Sequence, residues 1–122
     1  GMEGEDADGT LLKEVPKNTF VYEMNGPMFF GMADKILTIA LKENMNCLIL
    51  RMRGVGAIDA TALKNLNQLF QECQKKNVTM ILSHVNEQPF AAMQKTGFVQ
   101  KVGNENFCAC IDEAIQRAKD LQ

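Results

Sequence analysis

The sequence has no tryptophan, one tyrosine (Tyr22), one histidine (His84) and three prolines in 122 residues. With so few rings and no surplus of base, it lacks the stacking platforms and positive footprint of a nucleic-acid binder. A single imidazole also leaves little from which to build a histidine-based catalytic or metal set. No window approaches the roughly 18 continuous apolar residues that a membrane-spanning helix needs, so direct membrane insertion is not expected. The start lacks the basic-then-apolar order of a signal peptide. The four cysteines, Cys47, Cys73, Cys108 and Cys110, contain no CxxC pair, and three fall in patterns that read as buried strand or helix. A reducing compartment is the simpler expectation.

What is present suffices for one domain. At 46% hydrophobic and 23% charged residues, a chain of this length can bury a workable core without disulfides or metal. Gly1 ahead of Met2 reads as an expression scar. Residues 1–9, with Glu3, Glu5, Asp6 and Asp8 and no base, read as a flexible acidic tail, leaving residues 10–122 as the domain.

Along the chain, Thr10–Val15 is expected as a short edge strand stopped by Pro16. Asn18–Asn25 is a better strand, with Phe20 and Tyr22 on one face and Val21 on the other. After the break at Asn25-Gly26-Pro27, Met28–Leu41 carries an apolar stripe at helical spacing. Cys47–Met52 is a continuous apolar run, as in a strand covered on both faces, with Arg51 and Arg53 marking its exit. A helix from Ala60 to Lys76 places Leu63, Leu66, Phe70 and Cys73 inward and Lys64, Asn67, Gln71 and Lys75 outward. Asn77 suits the left-handed position that closes it. Val78–Ser83 is a further strand, Gln88–Thr96 a short helix with Pro89 in its first turn, Asn106–Cys110 a last strand and Ile111–Leu121 a terminal helix. Strands alternating with helices imply parallel crossovers. The expected class is α/β (α+β), with a mixed sheet of about five strands and about four helices.

The stretch with most functional interest is the strand–loop–helix at Gly54, Gly56, Asp59, Ala60 and Thr61. Open α/β sheets place ligands at the carboxyl ends of strands, and a helix N-terminus favours an anion or phosphoryl group. Weak nucleotide or anion binding is therefore one reading of this loop. It is not a P-loop, since GxxxxGK[ST] is absent. Turning the chain and capping the helix through Asp59 is the other reading, and on spacing alone the preferred one.

Other candidates carry less. Ser83 is a badly directed nucleophile for His84, because successive strand side chains point to opposite faces, so His84 is assigned a structural or surface role. Cys108 and Cys110 would face the same way, but no further ligand accompanies them and packing is preferred to metal binding. Most of the eight methionines read as core, Met32, Met52 and Met80 among them, leaving Met24, Met28 and Met93 as candidates to line an exposed groove. The carboxylates are dispersed, which argues against metal-dependent or glycosidase-like hydrolysis, and no catalytic residue is assigned.

Four segments together carry a resemblance: VYEMNGPMFFGMAD (Val21–Asp34), LILRMRGVGAIDATALKNL (Leu48–Leu66), TMILSHVNEQPFAAMQKTGF (Thr79–Phe98) and IDEAIQRA (Ile111–Ala118). Over Thr10–Leu121 the chain resembles the STAS domain of sulfate transporters and anti-sigma factor antagonists. It is most similar to the version at the cytoplasmic C-terminus of SulP-type anion transporters. The resemblance implies a small α/β domain with no catalytic activity of its own, at the cytoplasmic face of the inner membrane. The implied partner is a transmembrane transport unit of the same polypeptide, with a cytoplasmic regulatory protein as a further one. In the antagonist branch a kinase phosphorylates the serine directly after the aspartate of this loop. Here that position is Ala60, so Thr61 is the remaining acceptor. A free-standing antagonist-like protein regulated by phosphorylation is the alternative. The docking surface expected in either case is the loop around Asp59 with the outer helix face of Lys64, Asn67, Gln68 and Gln71.

Overall fold

The computed structural model describes residues 15–25, 38 and 44–121. Within them the elements run β1 (Thr19–Asn25), β2 (Cys47–Gly54), α1 (Ala60–Lys75), β3 (Thr79–Ser83), α2 (Glu87–Lys95), α3 (Phe98–Val102), a 3-10 turn (Asn104–Asn106), β4 (Phe107–Cys108) and α4 (Ile111–Asp120). The strands form one sheet in the order β1-β2-β3-β4, and each neighbouring pair is parallel. The α/β class is as the sequence implies, with four strands and four helices among the described residues. The expected edge strand Thr10–Val15 and helix Met28–Leu41, which includes Met28 and Met32, lie outside those residues except for Val15 and Thr38.

Alternation along the strands decides which layer each residue enters. Leu48, Leu50 and Met52 of β2, with Met80 and Leu82 of β3, join Leu66, Phe70 and Cys73 of α1, Met93 of α2 and Phe98 of α3 in one core. Cys47, Ile49 and Ile81 point the other way, onto Ile111, Ala114, Ile115 and Ala118 of α4. Phe20 and Tyr22 border the first core and Val21 the second. The steps from β2 to β3 and from β3 to β4 move in the same direction across the sheet, so these two connections, if of one hand, lie on one face. That is where α1, α2 and α3 lie, and α4, after the last strand, covers the other.

Several expectations are corrected. Arg51 does not mark the exit of β2: it pairs in register with Glu23 and Ser83 inside the sheet and is only 4% exposed. The strand runs on to Gly54 with an irregularity. From the Glu23–Arg51 pair to the Asn25–Gly54 pair, β2 advances one residue more than β1. Such a bulge bends the strand end and re-aims the loop beyond it. Met24 and Met93 line no groove, since both are fully buried. Asn106–Cys110 is a strand only at Phe107–Cys108, because Asn104–Asn106 closes a turn in which the Asn106 side chain donates to Val102 O at 3.0 Å. Asn77 has φ 60°, the left-handed closure expected after α1.

Candidate docking site

The Gly54–Thr61 loop is held from both ends and along its middle. Val55 is fully buried and its amide donates to Met52 O at 2.9 Å. Ile58, also buried, is the second apolar pin. Between and beyond these pins, Gly56, Ala57, Asp59, Ala60 and Thr61 are exposed. Asp59 is the N-cap of α1: extended at φ −101°, it accepts the Ala62 amide on Oδ1 at 2.8 Å, satisfying one unpaired donor of the first turn. Gly56 has no steric duty, since a Cβ there would meet nothing within 4 Å.

Two residues that the sequence did not single out fix the loop. The Gln88 side-chain amide pairs with both backbone groups of Ile58, accepting its N–H at 2.8 Å and donating to its carbonyl at 3.2 Å. The Asn86 amide nitrogen donates to Val55 O at 2.8 Å and to Arg53 O at 3.2 Å. Asn86 is the N-cap of α2 yet makes no capping bond with its side chain, which is turned to the loop instead. The only signal in the sequence was a cap-type residue followed by a glutamine, a pattern equally common at ordinary helix starts.

At the base of the loop, Arg53 forms a two-pronged pair with Glu23, Nε to Oε2 at 3.1 Å and Nη2 to Oε1 at 3.3 Å, and Arg51 Nη1 lies 3.8 Å from the same carboxylate. This forked geometry ties the ends of β1 and β2 together where the bulge falls. On the helix side, Ala60, Lys64 and Asn67 line a cavity of about 240 Å³ together with Leu63, Phe98 and Lys101. Lys101 Nζ donates to Asn67 Oδ1 at 3.3 Å, tying the rim of α1 to that of α3. Gln68 and Gln71 are exposed on α1 but do not line this cavity. Of the expected docking face, therefore, only Lys64 and Asn67 adjoin the loop within one concave surface.

The remaining candidates lie elsewhere. His84 follows β3 at φ 52° and lines a separate concavity of about 500 Å³ with Phe90, Phe107 and Cys108, while Ser83 is buried. Among the described residues no three His, Cys, Asp or Glu side chains gather as a metal site requires. Burial pushes the thiols of Cys47 and Cys108 up to about 11 and that of Cys73 to about 12, so all three stay protonated at neutral pH.

The fold that carries this loop is shared with known proteins. Residues 10–114 match the family of STAS domains. The chain belongs to the STAS domain family. A solved sulfate transporter family protein from Wolinella succinogenes is 36% identical to this STAS domain and superposes with a TM-score of 0.83, over 96% of each chain. The STAS domain of a Vibrio cholerae SulP transporter, 24% identical, shares the fold with a TM-score of 0.79, over 93% of this chain and 95% of that one. Sulfate transporter 4.1, chloroplastic, from Arabidopsis thaliana is 30% identical over 74 residues, 61% of this chain and 11% of its own length. The STAS domain spans only 11% to 22% of the length of the curated relatives it matches. No helix among the described residues is long and apolar enough to cross a membrane.

Proposed function

We propose that this STAS domain is a non-catalytic regulatory module of a SulP-type sulfate or anion transporter, at the cytoplasmic face of the membrane. Its loop Gly54–Thr61 docks on the transport unit of the same polypeptide or on a cytoplasmic regulatory protein. The observation that carries this reading is the loop itself: small exposed residues held rigidly between buried pins, at the carboxyl rim of a sheet whose relatives are sulfate transporters. A preorganised loop loses little conformational freedom on docking, which favours contact. Ala60 has no hydroxyl at the position after the capping aspartate, so the reading needs no phosphoryl transfer there.

The test is sulfate uptake by cells expressing the parent protein with Ala57→Asp or Thr61→Asp in the loop. Both sites are exposed, so the domain should fold, while uptake should change at least severalfold in either direction. A parent reading frame without membrane-spanning segments, or uptake indifferent to both substitutions, would falsify the proposal.

A further inference from the structure

We infer that the groove between α1 and α3 receives an acidic segment of a partner protein, with one apolar side chain as its anchor. The groove opens beside Ala60, the first residue of the helix, and is thus continuous with the docking loop. Leu63 and the largely buried Phe98 give it an apolar floor. Lys64 and Lys101, both exposed, stand along it, and no carboxylate is among its lining residues.

The charge balance is local, because the chain as a whole carries −2. Two ammonium groups on one concave patch repel each other and favour an incoming anionic strip, most strongly where a low-dielectric floor limits screening. The bond from Lys101 to Asn67 holds one of these cations in place across the groove, so part of its ordering cost is met before binding. A volume of about 240 Å³ suits one leucine-sized side chain and its flanking backbone rather than a nucleotide. An acidic segment with a single apolar anchor satisfies floor and rim together, as neither a plain anion nor an uncharged peptide does.

This inference rests on the docking reading for the role of the groove, but its test does not require transport. The probe is a short fluorescein-labelled peptide in which glutamate pairs flank one leucine. Its controls replace glutamate by glutamine or leucine by serine. Anisotropy is expected to show binding that weakens with salt, and that falls at least about tenfold in Lys64→Glu and in Lys101→Glu. Lys119→Glu, on the helix across the sheet, should leave it unchanged. Since Lys64 and Lys101 are exposed, thermal melts should confirm that the variants fold.

No salt-dependent binding, or binding indifferent to the two lysines, overturns the inference. So does tighter binding of a peptide copying residues 1–9, which makes the occupant the chain's own acidic stretch. Capture by anionic phospholipid vesicles that is lost in the same lysine variants, without peptide binding, also overturns it in favour of a lipid surface. If the peptide fails while uptake by the parent responds to loop substitutions, the groove inference falls alone. If the peptide binds through the lysines while uptake is indifferent, the transporter reading falls and the groove stands.

Discussion

Replacing Gln88 tests whether the loop is held by side chains from the start of the neighbouring helix α2. The Gln88 amide makes two hydrogen bonds to Ile58, at 2.8 and 3.2 Å, each in a partly buried setting. A typical net value of about 0.5–1.5 kcal/mol per bond, with Gln88 itself exposed, places their joint contribution near 1–2 kcal/mol. In Gln88→Ala this loss should appear locally, as roughly a five- to thirtyfold faster hydrogen exchange at the Ile58 amide. Water can reach the vacated site, so the urea midpoint should fall only modestly, with the slope unchanged. Gln88→Glu separates the two bonds. It keeps an acceptor for the Ile58 N–H but sets a carboxylate against the Ile58 carbonyl. At neutral pH its protection factor should be as low as that of Gln88→Ala. As the introduced carboxyl protonates, near or above the ordinary glutamate value of about 4.3, an O–H can donate to that carbonyl and protection should return. An Ile58 protection factor unchanged in Gln88→Ala, measured by exchange-coupled NMR, would refute the clamp.

The cap and the buried thiols give two further predictions. Asp59→Ala removes the acceptor of the Ala62 amide and should destabilise the domain by about 1 kcal/mol in urea titration, whereas Asp59→Asn, which keeps a capping oxygen, should cost much less. Burial raises the thiols of Cys47, Cys73 and Cys108 from an ordinary value of 9.0, so above pH 9 the unfolded chain releases protons that the folded chain retains. Stability should therefore be flat in this respect below pH 9 and fall as pH rises to about 11, and on to about 12 for Cys73. The fall should shrink in a Cys73→Ser, Cys47→Ser double variant after correction for its lower baseline.

Much of this fold was legible because one physical signal dominates it. The apolar run from Cys47 to Met52 has to be covered on both faces, and Asp59 ahead of a helical stripe is a cap in almost any context. Met52 and Met80 are core as expected, and only the groove reading of Met24 and Met93 failed. Met24 and Met93 sit at the margins of their apolar patterns, and only the tertiary packing of the core that both join closes over them. Helix α3 was missed because five residues beginning at Phe98, after a left-handed Gly97 at φ 83°, are too few to show a periodicity. The place of the loop between β2 and α1 was legible, but what holds it was not. Its clamp joins residues some 30 positions apart through side-chain amides, which no local pattern encodes. Arg51 illustrates the opposite error, a charged residue taken as a strand end although the Glu23 carboxylate 3.8 Å away helps to accommodate it inside the sheet.

Parallel strands also give the sheet a direction. All four carboxyl ends meet at one rim, which gathers the clamped loop and the turn bearing Asn86 and His84. Residues 15–18 lead into β1 from the other rim, where Thr19 pairs with the first residue of β2. The molecule therefore has a front and a back. On the docking reading proposed above, a protein on the loop approaches from the rim opposite residues 15–18, so it and those residues need not compete for space. A hinge or pull applied through the entering segment would then reach the loop along the length of the strands rather than around the surface.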